Sequence, residues 1–291
     1  NDRSTDNTLA VIYDFKPFLE AKGMLVKLLN HSRNLGVAAA RNTGLDHATG
    51  EFIYYVDADD WIELDAIECL VNEASLKKAD IVGCNWFLTF EENDRLMRQP
   101  EFTTPRQALQ AMMEGRMRWN LWLFLVRRTL YTKHQIRFIP GMDMGEDLLV
   151  TMKLFMLAGR VSHVDKALYY YGQGNQSSMT KVYSDKHIAQ VTANLKAVEQ
   201  MLAKSRFASQ LGDRMDFLKL NIKLPLLISD REEQYRRWLN WFSEANGKVM
   251  KNKAQPFRTR FIQALAAKKQ FWGLKLYYRF VIRFVYGVIY K

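Results

Sequence analysis

The sequence predicts an α/β layer fold followed by a mostly helical C-terminal region. In the first half of the 291 residues, short runs of β-branched and aromatic residues alternate with segments whose apolar residues recur at helical spacing. From Asp185 onward, each segment has the helical pattern. No internal repeat and no low-complexity segment interrupts either part, so we expect one α/β layer structure with a helical addition.

The N-terminal elements begin with an ambiguous run. Leu9–Phe15 is short and apolar, which fits a helix or a strand equally well. Met24–Ser32 contains a strand, and Gly36–Ala48 is rich in alanine and leucine and predicts a helix, with Gly50 as its C-cap. Phe52–Val56 combines aromatic and β-branched residues, so we expect a buried strand there.

The remaining elements follow in order. Leu64–Ala79 has apolar residues at helical spacing, and Ala79–Phe90 has the composition of a strand. Thr104–Gly115 predicts a helix with Pro105 in its first turn. The later segments are a strand or buried helix at Trp119–Ile136, a helix at Gly145–Gly159, a strand at Val161–Gly174 and a linker at Gly247–Pro256.

The net charge of +11 belongs to the C-terminal segment. Residues 245–291 hold eleven lysines and arginines and no acidic residue, which leaves 31 basic and 31 acidic residues before them. A neutral body without a recognised reader motif disfavours a nucleic-acid-binding protein. The two cysteines, Cys69 and Cys84, indicate no disulfide framework and favour a reducing compartment, with Cys84 buried in a strand. The sequence contains no run of about 18 apolar residues, so it predicts no membrane-spanning helix.

Three aspartates follow the strand predicted at Phe52–Val56. Asp57, Asp59 and Asp60 crowd into four positions, where their carboxylates repel one another. In one interpretation they form a solvated turn, and Asp60 caps the next helix in a capping box with Glu63. In the other they bind Mg²⁺ or Mn²⁺, which prefers one or two carboxylates together with substrate phosphate oxygens. Ligands of open α/β sheets bind at the carboxyl ends of strands, where this cluster lies. The pattern alone leaves both interpretations open.

A second acidic cluster lies in "PGMDMGEDLL" and consists of Asp143, Glu146 and Asp147. Negative side chains are favourable at a helix N-terminus, which explains any one of them. The adjacent pair Glu146 and Asp147, preceded by a glycine, could instead hold a general base near a substrate hydroxyl. The opening "NDRSTDNT" has the composition of a turn and a helix cap.

Three segments resemble motifs of glycosyltransferase family 2 and occur in the family's order. "NDRSTDNT" is similar to the "DDGSTD" turn. "NLGVAAARNTGLDHATGEFIYYVDADDW" is similar to the central signature, in which an Asn-x-Gly and an Ala-Arg-Asn-x-Gly helix precede an Asp-x-Asp strand end. "GEDLL" resembles the acceptor-side Glu-Asp pair, and the resemblance extends from Asn1 to about Lys181. It implies an inverting nucleotide-sugar glycosyltransferase with the GT-A fold, a Rossmann-like domain with a mixed, mostly parallel sheet.

The resemblance also implies a role for each matching residue. Asp2 corresponds to the aspartate that bonds the donor's base, and Arg41 to the helix arginine near the nucleotide. Asp57 and Asp59 correspond to the Asp-x-Asp pair, with Asp59 as the direct ligand of Mn²⁺ or Mg²⁺ and Asp57 closer to the ribose or a metal-bound water. Asp147 corresponds to the general base, which would deprotonate the acceptor hydroxyl for in-line attack at the anomeric carbon.

Two further expectations come from the same resemblance. Asn175–Lys181 falls where many members close a loop over the diphosphate, so Ser178 and Lys181, together with Glu146, are candidate contacts of the acceptor or the diphosphate. Family members carry a strand and a helix before the point at which this sequence starts, and Arg3 replaces the usual glycine of the first turn. We therefore expect the chain as given to lack that strand and helix, and to be unstable or inactive for that reason.

These features divide the chain into a catalytic domain at 1–184, a helical extension at 185–246 and a basic, aromatic, amphipathic tail at 247–291. Residues 257–291 interleave large aromatic and aliphatic side chains with lysines and arginines. Such a segment fits either a helical cap packed on the catalytic domain or a helix at an anionic lipid surface. The absence of acidic residues favours the lipid, and with it a cytoplasmic protein held peripherally on the inner face of the membrane.

The expected function is the transfer of a sugar from a nucleoside diphosphate, with UDP favoured by family habit, in bacterial surface polysaccharide synthesis. The acceptor would be a hydroxyl of a saccharide or a lipid-linked molecule. A metal-dependent nucleotidyltransferase or phosphatase could use the same carboxylates, and a basic nucleic-acid-binding protein is a more distant alternative. The sugar, base, acceptor and linkage depend on the shape of the pocket, which the sequence does not give.

Overall fold

The structure, a computed structural model, describes residues 1–173 and 184–284 and contains a six-stranded mixed sheet. The strands are β1 (Phe52–Ile53), β2 (Trp61–Ile62), β3 (Ile81–Thr89), β4 (Asp94–Met97), β5 (Phe124–Arg127) and β6 (Val161–Gly172). The helices around it are α1 (Thr8–Ala21), α2 (Val37–His47), α3 (Ala66–Lys77), α4 (Pro105–Met113), α5 (Arg128–Lys133) and α6 (Glu146–Leu157). The C-terminal helices are α7 (Asp185–Lys204), α8 (Ala208–Leu211), α9 (Met215–Lys223), α10 (Glu232–Asn240), α11 (Phe257–Ala267) and α12 (Phe271–Tyr277), with a π-helical turn at Tyr278–Ile282.

The strands lie in the order β1-β5-β3-β6-β2, and β4 pairs with β3 outside this path. The mixed α/β architecture predicted from the sequence is confirmed, but the sheet is not mostly parallel. Among the described residues only β3 and β6 pair in parallel, while β1–β5, β2–β6, β3–β4 and β3–β5 are antiparallel. The strand predicted within Met24–Ser32 does not form. Instead, the Leu29 carbonyl and the His31 N–H bond to Asn1, at 2.7 and 3.0 Å.

The core lies on both faces of β3. On one face, Leu70 and Ala74 of α3 pack with Val82 and Cys84 of the strand, all fully buried. On the other face Gly83 allows close packing, because a Cβ there would lie 2.9 Å from the ring of Phe102. Burial of this kind stabilises the sheet strongly, since truncating a buried leucine to alanine costs about 2–5 kcal/mol.

Most of the predicted helices form. Leu64–Ala79 contains α3, Gly145–Gly159 contains α6, and the ambiguous run at Leu9–Phe15 belongs to α1. Helix α4 begins after Thr104, whose side chain forms a capping box with Gln107. Trp119–Ile136, predicted as a strand or a buried helix, contains a 3₁₀ turn, β5 and α5 in succession.

The C-terminal helices share a hydrophobic core with the α/β part. One cluster of buried side chains runs from Ala38 to Leu274, and Asn194 of α7 donates to the Met144 carbonyl just before α6, at 2.9 Å. The prediction of a linker at Gly247–Pro256 is wrong, because this segment packs on the body. Asn252 is buried, and its Nδ2 donates to the Glu114 carbonyl at 3.0 Å. The domain boundaries at 184 and 246 stay a prediction.

Both cysteines are free thiols, and Cys84 is buried, as predicted. Within residues 1–173 and 184–284, none of the helices combines the length and the apolar character that crossing a membrane requires.

Candidate active site

The start of α2 is fixed by two acidic side chains from distant parts of the chain. Asp2 accepts hydrogen bonds from the backbone N–H groups of Leu35 and Gly36, both at 2.8 Å. Asp143 accepts one from the N–H of Ala38 at 3.0 Å. Gly36 has a φ of 89°, and a Cβ there would lie 2.4 Å from the Asp143 carboxylate, so this position requires glycine. The N-terminal turn, the helix start and the second acidic cluster therefore meet at one place.

Asp2, predicted to contact the donor's base, is held by protein groups. Besides the two backbone amides, its Oδ1 lies 2.7 Å from Nδ1 of His31. Burial raises the pKa of Asp2, but hydrogen bonds from Leu35, His31 and Gly36 outweigh that effect, so the pKa is lowered and the carboxylate stays charged. A carboxylate oxygen accepts two hydrogen bonds, and Oδ2 uses one on Gly36. Asp2 can therefore fix this loop and also meet a ligand.

Arg41, one turn into α2, is the centre of the site. Its Nη1 donates to Oε1 of Glu146, and its Nη2 lies 3.7 Å from Oδ1 of Asp57. The guanidinium carbon lies 5.8 Å from the ring centroid of Tyr55 and 5.6 Å from that of Phe138. Burial lowers the pKa of Arg41, but the neighbouring carboxylates, Glu146 first among them, raise it above its ordinary value. A charged arginine is thereby fixed between two acidic segments.

Glu146 and Asp147 begin α6. The residue before them, Gly145, has a φ of 78°, a left-handed conformation that suits glycine. Glu146 is buried against Arg41, whereas Asp147 is partly exposed and its Oδ1 accepts from the Leu148 N–H at 2.7 Å. Burial raises the pKa of both carboxyl groups, and the charge of Asp147 raises that of Glu146 further. A raised pKa makes a carboxylate a stronger proton acceptor, which a general base needs.

The loop after β1 is held by Tyr169 of β6. The N–H of Asp57 donates to the Tyr169 hydroxyl oxygen at 3.0 Å, and that hydroxyl donates to Oδ2 of Asp60 at 2.7 Å. Oδ1 of Asp60 accepts from the Gly172 N–H at 2.8 Å. The buried Tyr169 ring stacks on Trp122, with centroids 4.4 Å apart, so the hydroxyl has a fixed position. One tyrosine thus positions the aspartate loop against the sheet.

The interpretation of Asp60 as a helix cap is wrong. The next residues, Trp61–Ile62, form β2 and pair with β6, and α3 begins only at Ala66. Asp60 instead joins its loop to the end of β6. Burial raises its pKa to about 6, although the hydrogen bonds from Tyr169 and Gly172 oppose the shift.

Asp57 and Asp59 fit a cation that is shared with a phosphate. Burial raises the pKa of Asp57, Arg41 opposes this, and the charge of Asp59 adds to it, so the two carboxylates repel each other. A bound cation would remove that repulsion, and Mg²⁺ or Mn²⁺ binds through one or two carboxylates plus phosphate oxygens. In the described part of the chain, no three acidic, histidine or cysteine side chains are arranged to hold a metal by themselves.

The structure brings together residues that are far apart in the sequence. Arg41, Asp57, Glu146 and Asp147 interact electrostatically with one another, and Asp59 lies exposed on the same loop as Asp57. Among the predicted site residues, Asp57, Glu146 and Asp147 therefore lie around Arg41.

Four residues differ from the rest in how the structure relates to the sequence: Ser178, Lys181, Tyr169 and Asp143. Ser178 and Lys181 lie outside the described residues. The sequence does not identify Tyr169 as the anchor of the aspartate loop or Asp143 as the partner of α2. A tyrosine in a buried strand is usually part of the core, so its sequence gives no sign of an anchoring role. The one sign of Asp143's role is Gly36, an N-cap without a side chain, which leaves the first N–H groups of α2 in need of an acceptor from elsewhere.

Comparison with known proteins matches the first half of the chain to a family. The family model described as Glycosyl transferase family 2 matches residues 1–143. The chain is 32% identical over 162 residues to the uncharacterised glycosyltransferase EpsJ of Bacillus subtilis (strain 168), a match that takes in 52% of this chain and 46% of that protein. It is 25% identical over 256 residues to the poly(ribitol-phosphate) β-N-acetylglucosaminyltransferase TarS of Staphylococcus aureus (strain Mu50 / ATCC 700699), covering 82% of this chain and 42% of TarS. The chain thus spans about half the length of these curated relatives.

Among solved structures, the fold is similar to that of S. aureus TarS 1–349 in complex with UDP-GlcNAc. The TM-score is 0.66 at 19% sequence identity, and the match covers 96% of this chain and 80% of that one. This likeness includes the helical C-terminal region as well as the α/β part. The family model over residues 1–143, the curated relatives and the similar fold together support a GT-A glycosyltransferase of family 2.

Proposed function

We propose that the chain transfers a sugar from a nucleoside diphosphate donor, with UDP-sugars favoured, to a hydroxyl of a saccharide or lipid-linked acceptor, as a hexosyltransferase. One observation carries the proposal. Arg41 joins Asp57, in the loop after β1, to Glu146 and Asp147, at the start of α6. A position suited to a diphosphate and a metal therefore lies beside a pair of carboxylates with raised pKa values.

In the proposed reaction, Asp147 is the general base. Its carboxylate takes the proton of the acceptor hydroxyl while the hydroxyl oxygen attacks the anomeric carbon of the donor. The glycosidic bond forms as the bond from that carbon to the diphosphate oxygen breaks, and the electron pair leaves with the nucleoside diphosphate. A single displacement of this kind inverts the configuration at the anomeric carbon. The partial exposure of Asp147 supports this role over the buried Glu146, which we place beside the acceptor.

The remaining predicted residues would bind the donor. Asp59 would be the direct ligand of Mn²⁺ or Mg²⁺, with Asp57 nearer the ribose or a metal-bound water, and Asp2 would accept a hydrogen bond from the base. When bound, the cation supplies positive charge beside the diphosphate that leaves. Arg41 keeps the Asp57 loop and the start of α6 at a fixed separation.

The relatives support a UDP-sugar donor and a role in the cell envelope. The TarS structure with a similar fold contains UDP-GlcNAc, and TarS is named for transfer of N-acetylglucosamine to poly(ribitol-phosphate). We propose a corresponding place for this chain in bacterial surface polysaccharide synthesis, with a sugar and an acceptor of its own.

The test is calorimetric titration of UDP into the purified full-length protein, with and without Mn²⁺. We expect binding that depends on Mn²⁺ and is lost in Asp59→Ala. Asp213→Ala, which removes an exposed carboxylate in the helical region, should bind like the wild type. Absence of nucleotide binding under both conditions would contradict the proposal. A nucleotidyltransferase using the same carboxylates would release pyrophosphate, whereas the proposed reaction releases nucleoside diphosphate.

We also propose that α12 and the turn after it dock on an anionic membrane. Large apolar side chains recur there every four residues and are exposed: Trp272 by 67%, Leu276 by 45%, Phe280 by 72% and Phe284 by 60%. Because residues four apart lie on one face of a helix, these side chains form a single apolar stripe. Such a stripe, rich in aromatic residues, suits insertion between lipid headgroups.

The basic side chains beside the stripe also favour docking on an anionic membrane. Lys268, Lys269, Arg279 and Arg283 are exposed on or beside the stripe-bearing segment, and residues 245–291 contain no acidic residue. Each lysine or arginine near an anionic leaflet contributes about 1 kcal/mol of attraction. Helix α11 buries Ile262 and Ala266 in the core and α12 buries Leu274, so the stripe is the outer face of a segment that packs on the body. The protein would then be cytoplasmic and peripheral on the inner face of the membrane, where lipid-linked acceptors lie.

A further inference from the structure

The helical region contains a cleft of about 310 Å³ that the proposed reaction does not use. Its walls come from three elements: Thr192, Lys196 and Glu199 of α7, Lys219 of α9, and Trp241 and Phe242 after α10. Pockets of at least about 300 Å³ are large enough for a small ligand.

The aromatic wall of the cleft has a fixed geometry. The rings of Trp241 and Phe242 stack with centroids 5.0 Å apart, and the indole Nε1 of Trp241 donates to the Thr192 hydroxyl at 2.9 Å. Phe242 has a φ of 51°, a left-handed conformation that is uncommon for a bulky residue. Strained backbone persists only where its surroundings hold it, and it concentrates at ligand sites.

A buried lysine holds this strained corner. Lys223 is fully buried, and its Nζ donates to the carbonyls of Trp241 and Phe242, at 2.7 and 3.2 Å, and to Oδ1 of Asn246 at 2.5 Å. An ammonium group has three donors, so these bonds use all of them. Burying a lysine is costly, and here it fixes two carbonyl groups of the residues that form the aromatic wall.

The charged groups of the cleft balance one another. Lys219 lies 3.3 Å from a Glu199 oxygen and 3.1 Å from a Glu244 oxygen, and Lys196 adds a second positive charge. Two lysines and two glutamates leave the lining neutral, which favours neither an anion nor a cation. Neutral ligands with many hydroxyl groups can bond to such alternating donors and acceptors and can pack an apolar face on an aromatic ring.

The cleft lies behind the acidic pair. Thr192, Lys196 and Glu199 line it from one side of α7, while Val191 and Asn194 of the same helix meet the start of α6. Asn194 bonds to the Met144 carbonyl, and a Cβ on Gly145 would lie 3.4 Å from Val191. Helix α7 therefore separates the cleft from the start of α6.

We propose that this cleft binds a neutral saccharide unit, with Phe242 packing against a sugar ring and the lysine–glutamate groups bonding to its hydroxyls. This proposal rests on the proposed glycosyl transfer. The bound unit would belong to the acceptor glycan, at a distance from the hydroxyl that reacts. The cleft would then hold a growing chain while its end reaches Asp147.

Saturation-transfer NMR and titration with three neutral trisaccharides, maltotriose, cellotriose and triacetylchitotriose, test the proposal. Phe242→Gly removes the ring and suits the left-handed backbone, and Ser243→Trp fills the cleft from an exposed lining position. Gln200→Trp is the matched control, since Gln200 is exposed on α7 and does not line the cleft. We expect at least one trisaccharide to bind the wild type and Gln200→Trp equally and to bind the two cleft variants about tenfold more weakly.

Two results would overturn the proposal: no trisaccharide binds the wild type, or binding is the same in Ser243→Trp as in Gln200→Trp. Titration of UDP with Mn²⁺ into the same samples separates this proposal from the first one. Saccharide binding that survives Asp59→Ala supports a separate cleft. If the wild type binds a trisaccharide but not UDP, the proposed function is contradicted and the saccharide site is not.

Discussion

Arg41 of α2 forms an ion pair with Glu146 at the start of α6, 105 positions later in the chain. The pair is largely shielded from water, with 16% of the Arg41 side chain and 10% of the Glu146 side chain exposed. The contact joins the helix that follows the N-terminal turn to the helix that carries the proposed base.

Replacing Arg41 by glutamine should destabilise the protein. Removing one partner of a buried pair leaves the other charge uncompensated, and here Asp57 and Asp147 lose the same cation. We expect the free energy of unfolding at pH 7 to fall by about 3 kcal/mol in urea titrations. The loss should be smaller at pH 5, because the carboxyl groups with raised pKa values then take up protons. Arg98→Gln, which breaks the exposed pair with Asp165, is the control and should change little.

Asp147→Asn should abolish turnover while leaving nucleotide binding intact. An asparagine keeps the shape of the side chain but cannot take the acceptor proton, so the rate should fall by about 10²–10⁴-fold. The measurement is the release of UDP from a panel of UDP-sugars, with calorimetry of UDP as the control. In the wild type the rate should rise with pH through the raised pKa of the acidic pair, since the base must be ionised. Full activity in Asp147→Asn and none in Glu146→Gln would assign the base to Glu146 instead.

Tyr169→Phe should loosen the loop that carries Asp57 and Asp59. The change removes the hydroxyl between the Asp57 N–H and the Asp60 carboxylate, and keeps the ring stacked on Trp122. We expect a loss of about 1–2 kcal/mol in the free energy of unfolding, together with weaker binding of UDP and Mn²⁺.

Tyr170→Phe provides the control for this change. Its hydroxyl donates to Glu63 at 2.6 Å and touches neither Asp57 nor Asp60 in the described hydrogen bonds. Unchanged UDP affinity in Tyr169→Phe, or equal losses in both variants, would contradict the role given to Tyr169.

The sequence predicts the parts of this site and not their assembly. A strand before the aspartates follows from the aromatic and β-branched composition of Phe52–Val56, although only Phe52–Ile53 pairs in the sheet, and α6 follows from its helical spacing after a glycine. The pairing of Arg41 with Glu146 depends on tertiary packing across 105 residues, which local patterns do not encode. The sequence leaves open whether Asp60 caps a helix, because its hydrogen bond from the Tyr169 hydroxyl, which sets it apart from Asp57 and Asp59, arises only in the folded chain.

Stability should depend on the ionisation of Lys223. Burial lowers the pKa of this lysine from its ordinary value of 10.5 to about 7. Between these values the folded chain binds fewer protons than the unfolded chain, so the free energy of unfolding rises with pH. In Lys223→Met this contribution is absent, and the stability difference, wild type minus variant, should therefore increase from pH 7 to pH 9.5 in urea titrations.

Lys219→Met is the control for the pH series. The neighbouring glutamates raise the pKa of Lys219 despite its burial, so its contribution stays constant until the pH exceeds its ordinary value. The difference between wild type and Lys219→Met should therefore be flat over this range. A flat difference for Lys223→Met as well would show that Lys223 keeps an ordinary pKa.

Membrane docking by the α12 stripe predicts separable apolar and electrostatic effects. In co-sedimentation with vesicles, the wild type should bind phosphatidylserine-containing vesicles and bind neutral phosphatidylcholine vesicles more weakly. Trp272→Ala with Phe280→Ala should weaken binding to anionic vesicles by at least about tenfold, because the inserted side chains are lost. Arg279→Gln with Arg283→Gln should reduce the preference for anionic lipid. Leu64→Ala with Leu76→Ala removes exposed apolar surface elsewhere and should change nothing. Equal binding to neutral and anionic vesicles would reject the electrostatic part, and binding to neither would reject the docking surface, leaving α12 as a cap on the body.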